Sequence, residues 1–459
     1  MSRSYEKTLR YVLLGLEIAL LSLVFYGVWV EQYNPTLEVP LYRRGNYFLA
    51  LMYAIVLLVS ILGLEGQALG EARLAELVTS QCIALFLTTV LVYFPMSLLQ
   101  YRLLNPLPIL GVMLMQIPVV VLWNFLANKL YFALIPPLRV LLVSDGTQGM
   151  KVAAKLNRLP QRYVVDAEVS VAVGREYIRD LIDGYDAVLV AVQDDRWRTW
   201  LTRHCFKRNI RLLLIPTLTD VFVNSARVVH AVDSLLMCST NHRLSLEERA
   251  IKRAMDVVIS LFSLLLCSPL FLVVAFAVKL DDGGPVLFRQ ERLTRDGKVF
   301  SIYKFRSMRV DEVGENPHIA MKDDPRITRV GRWLRKYHLD ELPQFVNVLK
   351  GEMSIVGPRP ECPEIAAEYE KEFPEFSYRL KVKAGITGYA QIYGNYTTDP
   401  ADKLLMDVMY IERSNFVLDL TLIFLTIRTM VMTDKTRGKE CEQIGSLAET
   451  ERDDESQIA

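Results

Sequence analysis

The chain has 459 residues, with 53 Lys and Arg against 52 Asp and Glu. A net charge of +1 leaves no global basic field, which excludes a nucleic-acid partner held by bulk electrostatics. Hydrophobic residues make up 51% of the chain, high for a purely soluble protein, so membrane segments are expected.

Four apolar stretches come first, at about residues 11–30, 46–63, 76–98 and 107–126. Each is near the roughly 20 residues that cross a hydrocarbon core of about 30 Å. Their short connections make residues 1–135 an expected four-helix transmembrane bundle. Apolar stretches recur after the first, so the first reads as a span and not as a cleavable signal peptide. Arg3, Lys7 and Arg10 favour a cytoplasmic N-terminus, whereas Arg43 and Arg44 argue the other way. With the N-terminal cluster weighted more, the fourth span returns the chain to the cytoplasm.

Residues 136–245 read as a Rossmann-like cytoplasmic module. Strands are expected at residues 140–143, 163–169, 187–192 and 211–215, with helices near 176–183 and 196–207. Strands alternating with helices imply a parallel, doubly wound sheet. The turn Ser144-Asp145-Gly146-Thr147-Gln148-Gly149 leads into a further helix that ends near Arg158, and its N-terminus could receive an anion. The turn lacks a full GxGxxG, so a structural or regulatory module is favoured over a nucleotide site. The cysteines, Cys82, Cys205, Cys238, Cys267, Cys362 and Cys441, have no CxxC or metal-like spacing and read as free thiols of a reducing compartment.

Residues 246–438 form the third region. Its apolar segment, 257–278, would be about 33 Å long as a helix, enough for a fifth span. Pro269 in its middle removes a backbone donor, and Ser268 could satisfy groups freed there. Cations flank both ends: Arg249, Lys252 and Arg253 before, Lys279, Arg289, Arg292, Arg295 and Lys298 after. Positive charge on both sides favours a segment, 253–280, that enters and leaves one leaflet, with a full span as the alternative. Residues 416–432 are apolar but carry Asp419 and Arg428, which suits an interfacial helix. Residues 439–459 are acidic and polar, and disorder is expected there.

The chemistry concentrates at Asp340-Glu341. Asp340 suits an N-cap, and Pro343 is tolerated only in a first turn, so a helix is expected over 341–349 with both carboxylates at its start. Neighbouring helical residues point about 100° apart, so one carboxylate can attack phosphorus while the other binds a metal. A simple cap with a solvated neighbour is the bland alternative. The cationic surroundings tip the balance, because attack on a nucleotide-sugar diphosphate meets like-charge repulsion that cations and Mg²⁺ must offset. Arg289, Lys304, Arg306, Arg326, Arg332 and Arg335 are the candidate phosphate ligands, some of them ordinary surface charges. Mg²⁺ uses one or two carboxylates plus phosphate oxygens, which suits Glu341 with Asp340 beside it. In Gly357-Pro358-Arg359-Pro360, Pro358 and Pro360 fix the backbone around Arg359 and pre-organise it as a phosphate or nucleobase clamp.

The stretch from Lys252 to about Lys435 resembles the catalytic domain of the bacterial sugar transferase family, the monotopic polyprenyl-phosphate phosphoglycosyltransferases. The matching motifs are Lys252-Arg253 with Asp256, the Ser268-Pro269 break, and the run from Gly284 to Arg292. They continue with Lys304-Phe305-Arg306-Ser307-Met308, Asp324 to Gly331, Leu339 to Gln344, Ser354 to Pro360, and Gly385-Ile386-Thr387-Gly388. The N-terminal spans and α/β module resemble the long members of that family.

The resemblance implies a re-entrant membrane helix broken at Ser268-Pro269, and Asp340 as nucleophile toward a UDP-sugar. UMP leaves, and undecaprenyl phosphate takes the phosphosugar from the enzyme. Glu341 would bind Mg²⁺ and Arg359 would lie at the nucleotide. Lys252, Arg253 and Arg335 would meet membrane or polyprenyl phosphates. UDP-glucose or UDP-galactose is the expected donor, an N-acetylated sugar being the alternative. The step opens exopolysaccharide, capsule or O-antigen synthesis at the cytoplasmic face of the bacterial inner membrane. A homodimer is expected through the N-terminal parts. Tyr389, where many members have tryptophan, and Tyr393-Gly394-Asn395-Tyr396 depart from the commoner pattern. A scaffold with a dead transferase site is a rival that the intact Asp340-Glu341 and Arg359 oppose. A multispan transporter is another, and five full spans would put the carboxylate pair outside, away from UDP-sugars.

Overall fold

The computed structural model describes residues 3–37, 39–99, 103–231, 233–238, 244–308, 326–394 and 399–431. The acidic tail 439–459, Asp324-Pro325, Asn395-Tyr396 and Cys441 lie outside the described residues. The chain divides into two compact units, Met1–Pro216 and Thr217–Ala459.

The first unit opens with α1 (Arg3–Val28), α2 (Arg43–Gly63), α3 (Leu74–Leu99) and α4 (Leu107–Leu134). Each is long and apolar enough to cross a membrane. Successive helices pack together and α4 returns to α1. Their pattern inverts that of a soluble bundle. Leu23, Phe48, Ile55 and Phe86 face outward, while Glu17, Gln81, Gln116 and Asn124 are buried between helices. Glu17 accepts hydrogen bonds from Gln81 and Asn124, and Tyr53 donates to Gln116 at 2.9 Å. Polar groups buried away from water need such partners, and across helices they fix register.

Next come β1 (Leu138–Ser144), α5 (Thr147–Asn157), β2 (Tyr163–Ser170), α6 (Arg175–Ile182), β3 (Ala187–Ala191), α7 (Asp195–Arg208) and β4 (Arg211–Leu214). The strands pair in parallel in the order β2-β1-β3-β4. Buried residues fill both faces of this sheet, which is why its central strands read as unbroken apolar runs. At the end of β1, Asp145 already accepts the Gln193 amide at 2.8 Å.

The second unit starts earlier than the expected boundary at residue 246. It takes in α8 (Leu218–Ser225), which packs on a later helix, and the hairpin β5 (Arg227–Ala231) and β6 (Ser234–Cys238). Then come α9 (Leu246–Asp282), β7 (Leu287–Leu293), β8 (Val299–Phe305), α10 (Arg329–Lys336), α11 (Gln344–Lys350) and β9 (Ser354–Val356). The chain continues with α12 (Pro363–Glu372), β10 (Gly385–Thr387), α13 (Tyr389–Tyr393), α14 (Pro400–Arg413) and α15 (Phe416–Val431). β7 and β8 pair antiparallel, whereas β9 and β10 pair parallel.

α9 organises this unit. It is assigned as helix through Pro269, whose missing N–H leaves the Leu265 carbonyl without its usual donor. The Ser268 hydroxyl donates to that carbonyl at 2.8 Å. Near its start, Arg253 donates to the Val348 and Leu349 carbonyls at the end of α11, at 2.6 and 2.7 Å. Asp256 accepts from the Ser354 hydroxyl and the Ile355 amide. Near its other end, Val274 and Val278 pack with Phe305 and Leu334. Both flanks therefore rest on the same unit, while Leu261, Phe262, Leu265, Leu266, Leu272 and Val273 between them are exposed.

Lys252 reaches Asp419 at 2.5 Å and the Val356 carbonyl at 3.2 Å, and the single Tyr410 hydroxyl lies 2.8 Å from Asp419 and 3.1 Å from the Val356 carbonyl. The sequence reading sent Lys252 and Arg253 to lipid phosphates, but the structure engages both with protein. It also turns the charges of α15 inward, with Asp419 and Arg428 buried, so this helix is a packed element with Leu422 and Leu425 in the core. Replacing Lys252 by Met leaves Asp419 buried without a cation, at a cost of about 3 kcal/mol. Thermal unfolding in detergent measures this. A loss no greater than that of Arg289→Ala, at an exposed site, would rule out the pair as a major support.

Candidate active site

The carboxylates stand on a tight turn between α10 and α11. His338 takes a left-handed conformation (φ 54°) and reverses the chain into a single 3₁₀ turn, Leu339–Glu341. Leu339 and Leu342, three residues apart, pack on the cluster around Val274, Val278, Phe305 and Leu334. The same spacing leaves Asp340 and Glu341 on the other side of the turn. The expected helix over 341–349 begins only at Gln344, and Pro343 holds the capping position, so Asp340 makes no cap. Burial of the two leucines overrides the local preference of Asp340 for that role.

The two carboxylates meet unlike surroundings. Glu341 is 15% exposed, and its Oε1 accepts from Lys304 Nζ at 2.8 Å and Arg359 Nη2 at 3.3 Å. Burial alone would raise its pKa, but the Lys304 and Arg359 charges outweigh burial and hold it well below the usual carboxylate range. Among the described residues no group hydrogen-bonds the Asp340 carboxylate. Burial and the Glu341 charge push its pKa up, with Lys304, His338 and Arg335 opposing. A clamped, ionised carboxylate thus sits beside a freer and more basic one.

Arg359 is fixed by its backbone. Beyond β9 the Gly357 amide donates to Thr387 O, and the Gly385 amide donates to Pro358 O, both at 2.8 Å. A Cβ on Gly357 would stand 2.3 Å from Lys383 O, and one on Gly385 2.1 Å from Gly357 N, so neither strand tolerates a side chain there. Pro358 and Pro360 flank Arg359. Arg379 donates to the Arg359 carbonyl at 3.0 Å, and Arg292 donates to the Pro360 carbonyl at 3.2 Å. Arg379 in turn lies 2.8 Å from Asp407 and 3.4 Å from Glu361. Burial pushes the Asp407 pKa up to about 6 even with Arg379 beside it. Sequence reasoning named Arg292 only as a flanking cation and motif residue and missed Arg379 and Asp407; the nearness of Arg379 to the Gly385 motif was a signal for the former.

Of the remaining candidates, Arg335 faces Asp340 electrostatically and touches Met308 Sδ at 3.1 Å. Arg306 is buried, with its guanidinium packed on Gly284. Arg326 is half-buried beside the Met308–Ile327 bridge. Arg289 stacks on Tyr303 at 5.2 Å, and strand alternation turns Tyr303 away from the face that carries Lys304. The structure thus gathers Lys304, Arg335 and Arg359 around Asp340-Glu341, and leaves Arg289, Arg306 and Arg332, the last exposed on α10, elsewhere. Among the described residues no cluster of three or more metal-ligating side chains forms. Asp340 and the second oxygen of Glu341 remain as hard oxygen ligands, a set that suits Mg²⁺ sharing its shell with phosphate and water.

Gly357→Ala must displace backbone, and a loss of about 1–3 kcal/mol is expected, against little change for Gly146→Ala, where open space surrounds the added carbon. Denaturant unfolding of both variants measures this. Equal effects would show that the close approach at Gly357 carries no strain.

The family model described as "Bacterial sugar transferase" matches residues 247–433. The chain is 36% identical over 254 residues to the UDP-N-acetylgalactosamine-undecaprenyl-phosphate N-acetylgalactosaminephosphotransferase of Aeromonas hydrophila, covering 54% of this chain and 59% of the relative. It is 46% identical over 189 residues to the UDP-glucose:undecaprenyl-phosphate glucose-1-phosphate transferase of Escherichia coli (strain K12), covering 40% and 41%. These matches span about half the length of the relatives. The exopolysaccharide production protein PSS of Rhizobium leguminosarum bv. phaseoli is 42% identical over 201 residues, covering 41% of this chain and 97% of that protein. With a relative matched over nearly its whole length, and with the carboxylate turn and the arginine loop both inside the matched region, the chain belongs to the bacterial sugar transferase family.

Proposed function

We propose that the protein transfers a hexose-1-phosphate from a UDP-sugar to undecaprenyl phosphate and releases UMP, through a covalent aspartyl-phosphosugar. The observation that carries this reading is the contrast between Asp340, whose carboxylate no described residue hydrogen-bonds, and clamped Glu341. Asp340 in its ionised form attacks the sugar-bearing phosphorus of the donor. The new Asp340 O–P bond forms as the bond to the UMP oxygen breaks, and UMP leaves with that electron pair. A phosphate oxygen of undecaprenyl phosphate then attacks the same phosphorus. The Asp340 O–P bond breaks, and polyprenyl-diphospho-sugar departs with the carboxylate restored. Lys304, Arg335 and Arg359 offset the negative charge that both steps gather. Mg²⁺, held by Asp340 and the free oxygen of Glu341, would add further neutralisation of the diphosphate. The sugar is glucose or galactose on the sequence reading, and the named relatives act on UDP-glucose and UDP-N-acetylgalactosamine.

In this reading α1 to α4 form a membrane bundle and α9 is re-entrant at the inner membrane, with the catalytic face in the cytoplasm. Support comes from the two flanks of α9 resting on one unit, its exposed apolar middle, and the Leu265 carbonyl satisfied by Ser268. A straight span would carry its ends to opposite faces, and an unsatisfied carbonyl in hydrocarbon is costly.

UMP release from a panel of UDP-sugars, with full-length protein, Mg²⁺ and undecaprenyl phosphate, tests the reaction. Asp340→Asn is expected to lower it by more than roughly 10³-fold. Release that survives this change sinks the covalent mechanism. The pH profile is a second test. Asp340 must be ionised to attack and its pKa is raised, so activity rises with pH through a midpoint above the ordinary aspartate range. Arg335 lowers that pKa, so Arg335→Gln shifts the acid limb to higher pH. A limb that stays put or moves down contradicts Asp340 as the titrating nucleophile.

A further inference from the structure

We propose that the outer face of α10 is a docking surface for anionic phospholipid headgroups, and that it seats the catalytic turn at the membrane surface. α10 buries Val330 and Leu334 against the C-terminal arm of α9, in the cluster with Val274, Val278 and Phe305. Its opposite stripe is Arg329, Arg332, Trp333 and Lys336, followed by Tyr337, a spacing that keeps them on one helix face. Trp333 is 64% exposed and stacks on Tyr337 with ring centres 5.7 Å apart. The Lys336 ammonium lies 5.4 Å from the Trp333 ring and 5.0 Å from the Tyr337 ring. Among the described residues no carboxylate pairs with Arg329, Arg332 or Lys336.

An aqueous surface serves this face poorly. Among the described residues its three cations meet no counter-charge, and a large indole stays wetted. A bilayer surface satisfies both, because indole and phenol rings settle at headgroup depth while basic side chains reach lipid phosphates. Continuity points the same way: α10 lies on the arm of α9 that exposes Leu272, Val273, Phe276 and Leu280. Arg335 belongs to a different face, turned toward Asp340. The lipid surface is thus a neighbour of the reaction centre and separate from it, since Asp340 follows Lys336 by four residues.

This inference rests on the membrane insertion of α9 proposed above, and its test reads lipid contact directly, without turnover. Full-length protein is placed in nanodiscs of phosphatidylcholine, with and without phosphatidylglycerol. The Trp333 emission is taken as the difference between the unaltered protein and Trp333→Phe, and brominated lipid is the quencher. Strong quenching of that component, enhanced by phosphatidylglycerol, is expected. Replacing Arg329, Arg332 and Lys336 together by Gln should remove the phosphatidylglycerol enhancement, at about fivefold in lipid preference per cation. A tryptophan added by Leu266→Trp in the exposed apolar middle of α9, still quenched by brominated lipid in this variant, confirms that α9 is inserted. Trp333 quenched by aqueous acrylamide and untouched by brominated lipid overturns the proposal. So does quenching indifferent to phosphatidylglycerol, or a site-specific cross-link from position 333 to a second copy of the chain. UMP release intact beside any of these results leaves the proposed reaction standing and removes only the docking surface.

Discussion

Adjacent carboxylates in one pocket repel each other, and here the conflict is resolved by giving Glu341 both of the closest cations and Asp340 neither. Much of the second unit serves that division. Lys304 comes from the end of β8, held flat against β7. Arg359 comes from a loop that glycines press against the neighbouring strand and that Arg379 and Arg292 hold from behind. Without these two supports Glu341 would ionise less readily, and its neighbour would lose the feature that sets it apart.

A second network ties the start of α9 to the same loop. Lys252, near the start of α9, and Tyr410 of α14 converge on the Val356 carbonyl and the Asp419 carboxylate. Val356 immediately precedes the Gly357 turn. Arg253 and Asp256 fasten α9 to the end of α11 and to β9 through three backbone groups. The root of the arm and the base of the arginine loop are therefore one rigid assembly, built from charges that look from sequence like lipid contacts.

The parallel sheet was legible because its strands are buried on both faces, which leaves an unmistakable apolar run, and their ends fall within about two residues of expectation. Asp340, Glu341, Lys304 and Arg359 were legible as a group because phosphate chemistry requires that combination. Their geometry was not. Asp340 has the local chemistry of an N-cap, and only the distant partners of Leu339 and Leu342 decide that it stands in a 3₁₀ turn instead. Arg379 and Arg292 lie 20 and 68 residues from the carbonyls they hold, beyond any local pattern. Nothing in the sequence separates Lys304, which reaches the site, from Arg306 two residues on, which is buried against Gly284. β8 ends between them, at Phe305, and where a strand ends is settled by its pairing with β7.

The turn that displays the carboxylates also roots its leucines in α9, at the level of Val274 and Val278. If that arm enters the bilayer as proposed, the height of Asp340 above the hydrocarbon is set by a hydrophobic contact and not by a loop free to rise and fall. In the proposed reaction Asp340 would then act as a fixed stop. A water-borne donor would descend to it, and a lipid-borne acceptor would need only to drift sideways within its own leaflet to reach the same phosphorus.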